Sequence, residues 1–94
     1  MMEELIIQIN SNLASLRYYA ERKQADNTYR TILIISNSLS ELMFYSHNDV
    51  LTFLEKIRKI LIDAEMWEKM QHYYLINGYM PKKEVNNEVF NSRV

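Results

Sequence analysis

The side chains with metal-binding or acid–base chemistry lie mainly in the second half of the chain. Glu65, Glu68 and His72 follow one another at spacings of three and four, which would place them on one helix face. Three such groups can ligate a metal ion, but carboxylate-bridged di-metal bundles carry Glu-x-x-His motifs on two helices. This sequence has Glu-x-x-x-His once and no second motif. We therefore interpret Glu68 and His72 as a surface pair and predict no metal or cofactor site.

No other arrangement of residues indicates catalysis. The absence of cysteine excludes a thiol nucleophile, a thiolate metal site and any disulfide, and one glycine is too few for a phosphate-binding loop or a nucleophile elbow. His47 lies in a polar segment and is expected to be exposed. Asp63, in an otherwise apolar stretch, is expected at the solvent edge of its helix. We predict that the protein is not an enzyme.

The charge balance argues against a nucleic-acid partner. Eleven basic and twelve acidic residues give a formal net charge of −1, whereas nucleic-acid-binding modules usually carry a basic excess on one face. The densest basic cluster, Lys56, Arg58 and Lys59, is typical of a solvated helix face. No apolar run approaches the about 20 residues of a membrane span, and acids follow the initial methionines where an export signal would carry bases. We predict a cytoplasmic protein that binds no nucleic acid.

The scarcity of glycine and proline predicts long helices. The chain has one of each, Gly78 and Pro81, and both residues ordinarily mark turns. No stretch sustains the period-two alternation of a strand. Ninety-four residues suffice for one domain. We predict an all-α fold, an antiparallel helical bundle of three long helices over residues 1–80, followed by a polar tail over 81–94.

Apolar stripes at spacings of three and four place these helices. We predict the first from about Glu3 to Gln24 and the second from about Asn27 to Tyr45. The two stripes are out of register across the polar segment 23–28, which predicts a break, with Asp26 or Asn27 as the N-cap. Ser46 is the predicted N-cap of the third helix. The stripes are Ile6, Ile9, Leu13, Leu16 and Ala20; Ile32, Ile35, Leu39 and Leu42; and Val50, Phe53, Leu54, Ile57, Ile60, Leu61, Ala64 and Trp67.

The third helix leaves two alternatives open. If it runs from about Asn48 to Asn77, it is about 45 Å long at 1.5 Å per residue, and its end overhangs the first two helices. Alternatively it bends near Ala64, and the remainder folds back as a short fourth helix.

Aromatic residues and methionines are concentrated between Met66 and Met80. Tryptophan, tyrosine and methionine are enriched in the centres of protein interfaces, and methionine adapts to varied partner surfaces. The alternative is that these residues are core, packed by a folded-back segment. As a partner-binding surface we predict Trp67, Met70, Tyr73, Tyr74, Tyr79 and Met80.

Several groups of residues between about Asn27 and Met80 form a pattern seen in a known family. They are Asn27-Thr28-Tyr29, Ile32-Leu33-Ile34-Ile35-Ser36 and Phe44-Tyr45-Ser46-His47; Leu51-Thr52 and Ile57-x-Lys59; and Glu68-Lys69, Tyr73-Tyr74, Ile76 and Gly78. In these features the chain resembles the pediocin-like (class IIa) bacteriocin immunity proteins, of the enterocin A immunity type. The likeness covers just over half of the chain.

The resemblance implies a cytosolic antiparallel four-helix bundle that protects a bacterium against a secreted pore-forming peptide. It also implies that the protein recognises the peptide on its receptor, the membrane part of the mannose phosphotransferase system, from the cytoplasmic side. Specificity in the family is linked to the C-terminal half, which corresponds here to Trp67 through Tyr79 and the tail. The chain departs from the family by being one helix short at the N-terminus.

The residues by themselves indicate a helical protein that acts by binding another protein. A generic adaptor or inhibitor, or a secretion chaperone with a cytosolic partner, fits them as well as immunity does. So does a homodimer in which the long third helix pairs with its copy. Peripheral association with a membrane is compatible with each of these readings.

Overall fold

The computed structural model describes residues 2–76, with side chains described through residue 72. This part of the chain forms four helices, α1 (Met2–Glu21), α2 (Ala25–Leu42), α3 (His47–Asp63) and α4 (Trp67–Ile76), and contains no strand. The predicted all-α fold is confirmed, with three long helices and a short fourth. Connections of three or four residues join helices that pack against each other, so successive helices run antiparallel.

The α2–α3 pair lies at the centre of the molecule. Both α1 and α4 pack against α2 and α3, but in the described part of the chain α1 and α4 do not contact each other. Helices α1 and α3 are each antiparallel to α2, so they run parallel to one another. Their C-terminal ends therefore lie at the same end of the bundle.

Most residues of the predicted apolar stripes belong to the core. All the predicted positions of α2, and those of α3 from Val50 to Ala64, are buried. In α1 the buried residue of the first turns is Leu5, whereas Ile6 is only partly buried at the edge of the core. Trp67 also lies at this edge, because it belongs to α4 rather than to α3.

The break between α1 and α2 is confirmed, and it is made without glycine. Lys23 adopts a left-handed conformation at φ 59°. Its N–H donates to the Ala20 carbonyl, and the Gln24 N–H donates to the Tyr19 carbonyl, each at 3.0 Å. These two bonds form a Schellman motif, which satisfies carbonyl groups at the end of a helix.

The predicted N-cap of α2 is wrong. Gln24, not Asp26 or Asn27, is the N-cap, and its side chain makes no capping hydrogen bond. The Schellman turn already uses the Gln24 N–H, so α2 begins directly after it. Thr28 then lies on the buried face, where its hydroxyl donates to the Gln24 carbonyl at 2.8 Å. A threonine can occupy the core side of a helix because its hydroxyl bonds back to the preceding turn.

The start of α3 agrees with its prediction. Ser46 is the N-cap, at φ −157°, and its hydroxyl oxygen accepts from the Asp49 N–H at 3.2 Å. Helix α2 ends three residues before the predicted Tyr45, because residues 43–45 form a turn that leads into this cap.

Helix α3 ends at Asp63, so the continuous third helix is wrong and the folded-back alternative is confirmed. Glu65 is left-handed at φ 58°, and its N–H donates to the Ile62 carbonyl at 3.0 Å. The Met66 N–H donates to the Leu61 carbonyl at 2.8 Å, which completes a second Schellman motif. Leu61 and Met66 are both buried, as the hydrophobic contact of this motif requires.

Within residues 2–76, no helix combines the length and the apolar character needed to cross a membrane.

Candidate functional surfaces

The proposed helix face of Glu65, Glu68 and His72 does not exist. Glu65 occupies the left-handed position of the α3–α4 turn, whereas Glu68 and His72 belong to α4. All three residues are exposed. Among the described residues, no group of three or more acidic or histidine side chains is placed to hold a metal ion.

His47 and Asp63 are both exposed, as expected. The His47 Nδ1 lies 3.0 Å from the Met43 Sδ at the α2–α3 turn. The Asp63 carboxylate accepts from the Lys59 ammonium at 3.1 Å, one turn earlier on α3. Surface pairs of this kind stabilise a helix weakly and do not by themselves indicate acid–base chemistry.

The structure divides the predicted partner-binding surface of α4. Met70 is 2% exposed and belongs to the core, because α4 folds back over α2 and α3 and turns this residue inward. Its assignment to a contact surface is therefore corrected, and the core alternative holds at this position. Met66, at the start of the same stripe, is buried as well.

Trp67 remains at the surface in part. It packs against the edge of the core, and the Arg58 guanidinium carbon lies 5.4 Å from the centre of its ring. The Arg58 Nε is buried and has no hydrogen-bond partner among the described residues. A cation over an indole ring is attracted by the ring quadrupole, so Arg58 contributes to holding Trp67 in this position.

The rest of the predicted surface lies at the limit of the described chain. Tyr73 and Tyr74 belong to α4 by their backbone. Tyr79, Met80 and the tail over 81–94 lie outside the described residues. For these four residues the contact surface remains a prediction.

The turn between α2 and α3 exposes two aromatic residues that lie outside the predicted partner-binding surface. Phe44 is 88% exposed and Tyr45 is 51% exposed. Met43, directly before them, is partly buried against the core and anchors the turn. Neither aromatic residue fits the apolar stripe of α2, and this mismatch is the feature of the sequence that indicates their exposure. Exposed aromatic residues next to one another are typical of protein contact sites.

A groove of about 390 Å³ lies between α1 and α3. Arg17 of α1 and Lys56 and Lys59 of α3 line it, and Leu13 and Ile60 form its apolar floor. We call this feature the basic groove. Both lysines belong to the basic cluster that the sequence predicts to be a solvated helix face. Sequence spacing could not reveal Arg17 beside them, because it comes from a different helix.

Taken together, these surfaces belong to a small all-α protein with four helices in its described part. Comparisons with protein families, with curated proteins and with solved structures find no match for this chain. The likeness to bacteriocin immunity proteins therefore rests on the sequence pattern alone.

Proposed function

We propose that this protein is a bacteriocin immunity protein. It acts in the cytoplasm, without catalysis, by binding a complex of a secreted pore-forming peptide and its membrane receptor. The receptor implied by the resemblance is the membrane part of the mannose phosphotransferase system. This role requires a folded contact surface and neither a cofactor nor a metal.

The observation that supports the proposal most is the turn at Glu65. The resemblance implies four helices, whereas the apolar stripes of the sequence define three long ones. The left-handed turn divides the third apolar segment into α3 and α4, so the described chain has four helices after all. The number of helices then equals the number that the resemblance implies.

Two surfaces are suited to the contact. Trp67 begins α4, in the half of the chain to which the resemblance assigns specificity, and its ring lies against the edge of the core near Arg58. Phe44 and Tyr45 form a second aromatic surface at the α2–α3 turn. Aromatic anchors of this kind dominate the energetics of many protein interfaces.

A growth assay tests the proposal. The chain is expressed in a sensitive host, which is then challenged with a panel of pediocin-like bacteriocins. We expect survival against one or two peptides and killing by the others. Uniform killing, with the protein shown to be folded and expressed, would contradict immunity and leave the adaptor and dimer interpretations, for which a pull-down and a solution mass are the next measurements.

Variants locate the site within the same assay. Trp67→Ala with Tyr74→Ala should abolish protection, and removal of residues 81–94 should weaken it or change which peptide is tolerated. Trp67→Phe is the matched control, because it keeps an aromatic ring against Arg58. If a chain that combines both alanine substitutions with removal of the tail still protects fully, α4 and the tail are not the contact site.

A further inference from the structure

The basic groove combines a cationic rim with an apolar floor. Its rim carries three cationic side chains, Arg17, Lys56 and Lys59, contributed by two helices. Its floor is apolar, since Leu13 and Ile60 lie beneath the rim and are buried against the core. No carboxylate is among the described residues that line it. A ligand that fills the groove would therefore meet cations along its edges and the small exposed parts of Leu13 (6%) and Ile60 (4%) between them.

The shape of the groove matches a helix better than a small anion. Its α1 wall extends from Asn10 to Arg17, two helical turns or about 10 Å. The α3 wall runs parallel and places Lys56 and Lys59 one turn apart. Helices that dock in grooves use anchors at spacings of three, four and seven residues, which cover the same two turns.

We propose that the basic groove is a docking site for an acidic amphipathic helix of a partner protein. The apolar stripe of that helix would contact Leu13 and Ile60, and acidic residues beside the stripe would pair with Arg17 and Lys56. The proposal does not depend on the immunity function, because none of these residues belongs to α4 or to the α2–α3 turn.

An anionic membrane surface fits the observations less well. Segments that bind acidic lipids carry clusters of roughly four to eight basic residues, whereas three line this groove. A concave groove also hides its apolar floor from a flat bilayer and presents it to a cylindrical helix.

Asp63 competes with an acidic ligand for Lys59. Its carboxylate pairs with the Lys59 ammonium at 3.1 Å, and both side chains are largely exposed. An acidic ligand would compete with Asp63 for this lysine. Asp63→Asn should therefore release Lys59 and strengthen binding of an acidic helix severalfold.

Fluorescence anisotropy with a designed peptide tests the proposal on the full chain. The probe is a labelled 16-residue helical peptide with a leucine stripe flanked by glutamates, and its control carries lysines in place of the glutamates. We expect the acidic peptide to bind and the lysine control not to bind. The affinity for the acidic peptide should fall as the salt concentration rises. Arg17→Ala with Lys56→Ala should weaken binding at least tenfold, whereas Arg30→Ala with Lys69→Ala, two exposed cations outside the groove, should not.

Three outcomes would overturn the proposal. The first is no binding of the acidic peptide to a chain whose helicity is intact. The second is binding that the Arg17 and Lys56 substitutions leave unchanged while they preserve the circular dichroism spectrum. The third is binding to vesicles of anionic lipid, but not to the peptide, that the same substitutions abolish, which would assign the groove to a membrane surface.

Discussion

Lys23 and Glu65 adopt the same left-handed backbone conformation, at φ 59° and 58°, and each directly follows the last turn of a long helix. The two turns are also in contact, because the Lys23 ammonium donates to the carbonyl of Ala64, the residue before Glu65. A cation at the C-terminal end of a helix is favoured by the helix dipole. Two helix ends, remote in sequence, are thus held together at one end of the bundle.

Replacing Glu65 by glycine is predicted to stabilise the turn between α3 and α4. A residue with a Cβ in this conformation is disfavoured by about 1–2 kcal/mol, and part of this is offset because glycine makes the unfolded chain more flexible. We expect Glu65→Gly to raise the free energy of unfolding by about 0.5–1 kcal/mol, which corresponds to a few degrees in the melting temperature. Thermal denaturation followed by circular dichroism measures this shift.

Glu68→Gly is the control for that substitution. Glu68 is exposed in the first turn of α4, so glycine there should lower the free energy of unfolding by about 0.5–1 kcal/mol. Equal destabilisation by both substitutions would mean that α3 and α4 are continuous in solution and that the Glu65 turn is not formed.

The contact between Lys23 and Ala64 should contribute measurably to stability. Lys23→Ala keeps the left-handed position but removes the ammonium donor, and we expect it to lower the free energy of unfolding by about 0.5–1.5 kcal/mol. Arg30→Ala, at an exposed position within α2, should change stability by less than about 0.5 kcal/mol. Urea denaturation of both variants makes the comparison, and equal midpoints would show that the contact is not maintained in solution.

The cap of α3 should depend on the Ser46 hydroxyl. Ser46→Ala leaves the Asp49 N–H without its acceptor, and the expected loss is about 1 kcal/mol in the free energy of unfolding. Ser46→Asp provides another acceptor and should retain most of the stability. If alanine and aspartate behave alike in urea denaturation, the side chain is not the cap.

Met70 should behave as a core residue and not as a contact residue. Its side chain is 2% exposed, so Met70→Ala is expected to lower the free energy of unfolding by about 2–4 kcal/mol, whereas Met70→Leu should lower it by less than about 1.5 kcal/mol. Chemical denaturation distinguishes the two. An alanine variant as stable as the parent would mean that α4 is not packed on the core.

Local periodicity was sufficient to predict most of the fold. The spacing of Ile9, Leu13 and Leu16 defines the buried face of α1. The shift in register between this stripe and the one that begins at Ile32 predicts the break between α1 and α2. Ser46 was predictable because its chemistry favours an N-cap over a helix interior. These predictions succeed because each depends on residues within one or two turns of the chain.

From the sequence, the turn at Glu65 could be predicted only as an alternative to a continuous third helix. It contains neither glycine nor proline, and its apolar spacing continues from Leu61 to Ala64 and Trp67 as in one long helix. Packing decides between the alternatives, because folding back buries Met66 and Met70 against α2 and α3.

The basic groove depends on contacts between helices in the same way. Arg17 and Lys56 are far apart in sequence and meet because α1 packs parallel to α3. Periodicity within one helix identifies its buried face but not the exposed residues that a neighbouring helix brings beside it.

Peptide-dependent recruitment tests the central claim most directly. A tagged chain is expressed in a sensitive host, the protective bacteriocin is added outside the cells, and the tagged protein is purified from detergent-solubilised membranes. A bacteriocin against which the chain gives no protection serves as the control. We predict that the membrane subunits of the mannose phosphotransferase system are recovered with the chain only after the protective peptide is added. Equal recovery of these membrane subunits with and without the protective peptide would contradict immunity by this route. So would cells that survive although no receptor subunit is recovered with the chain.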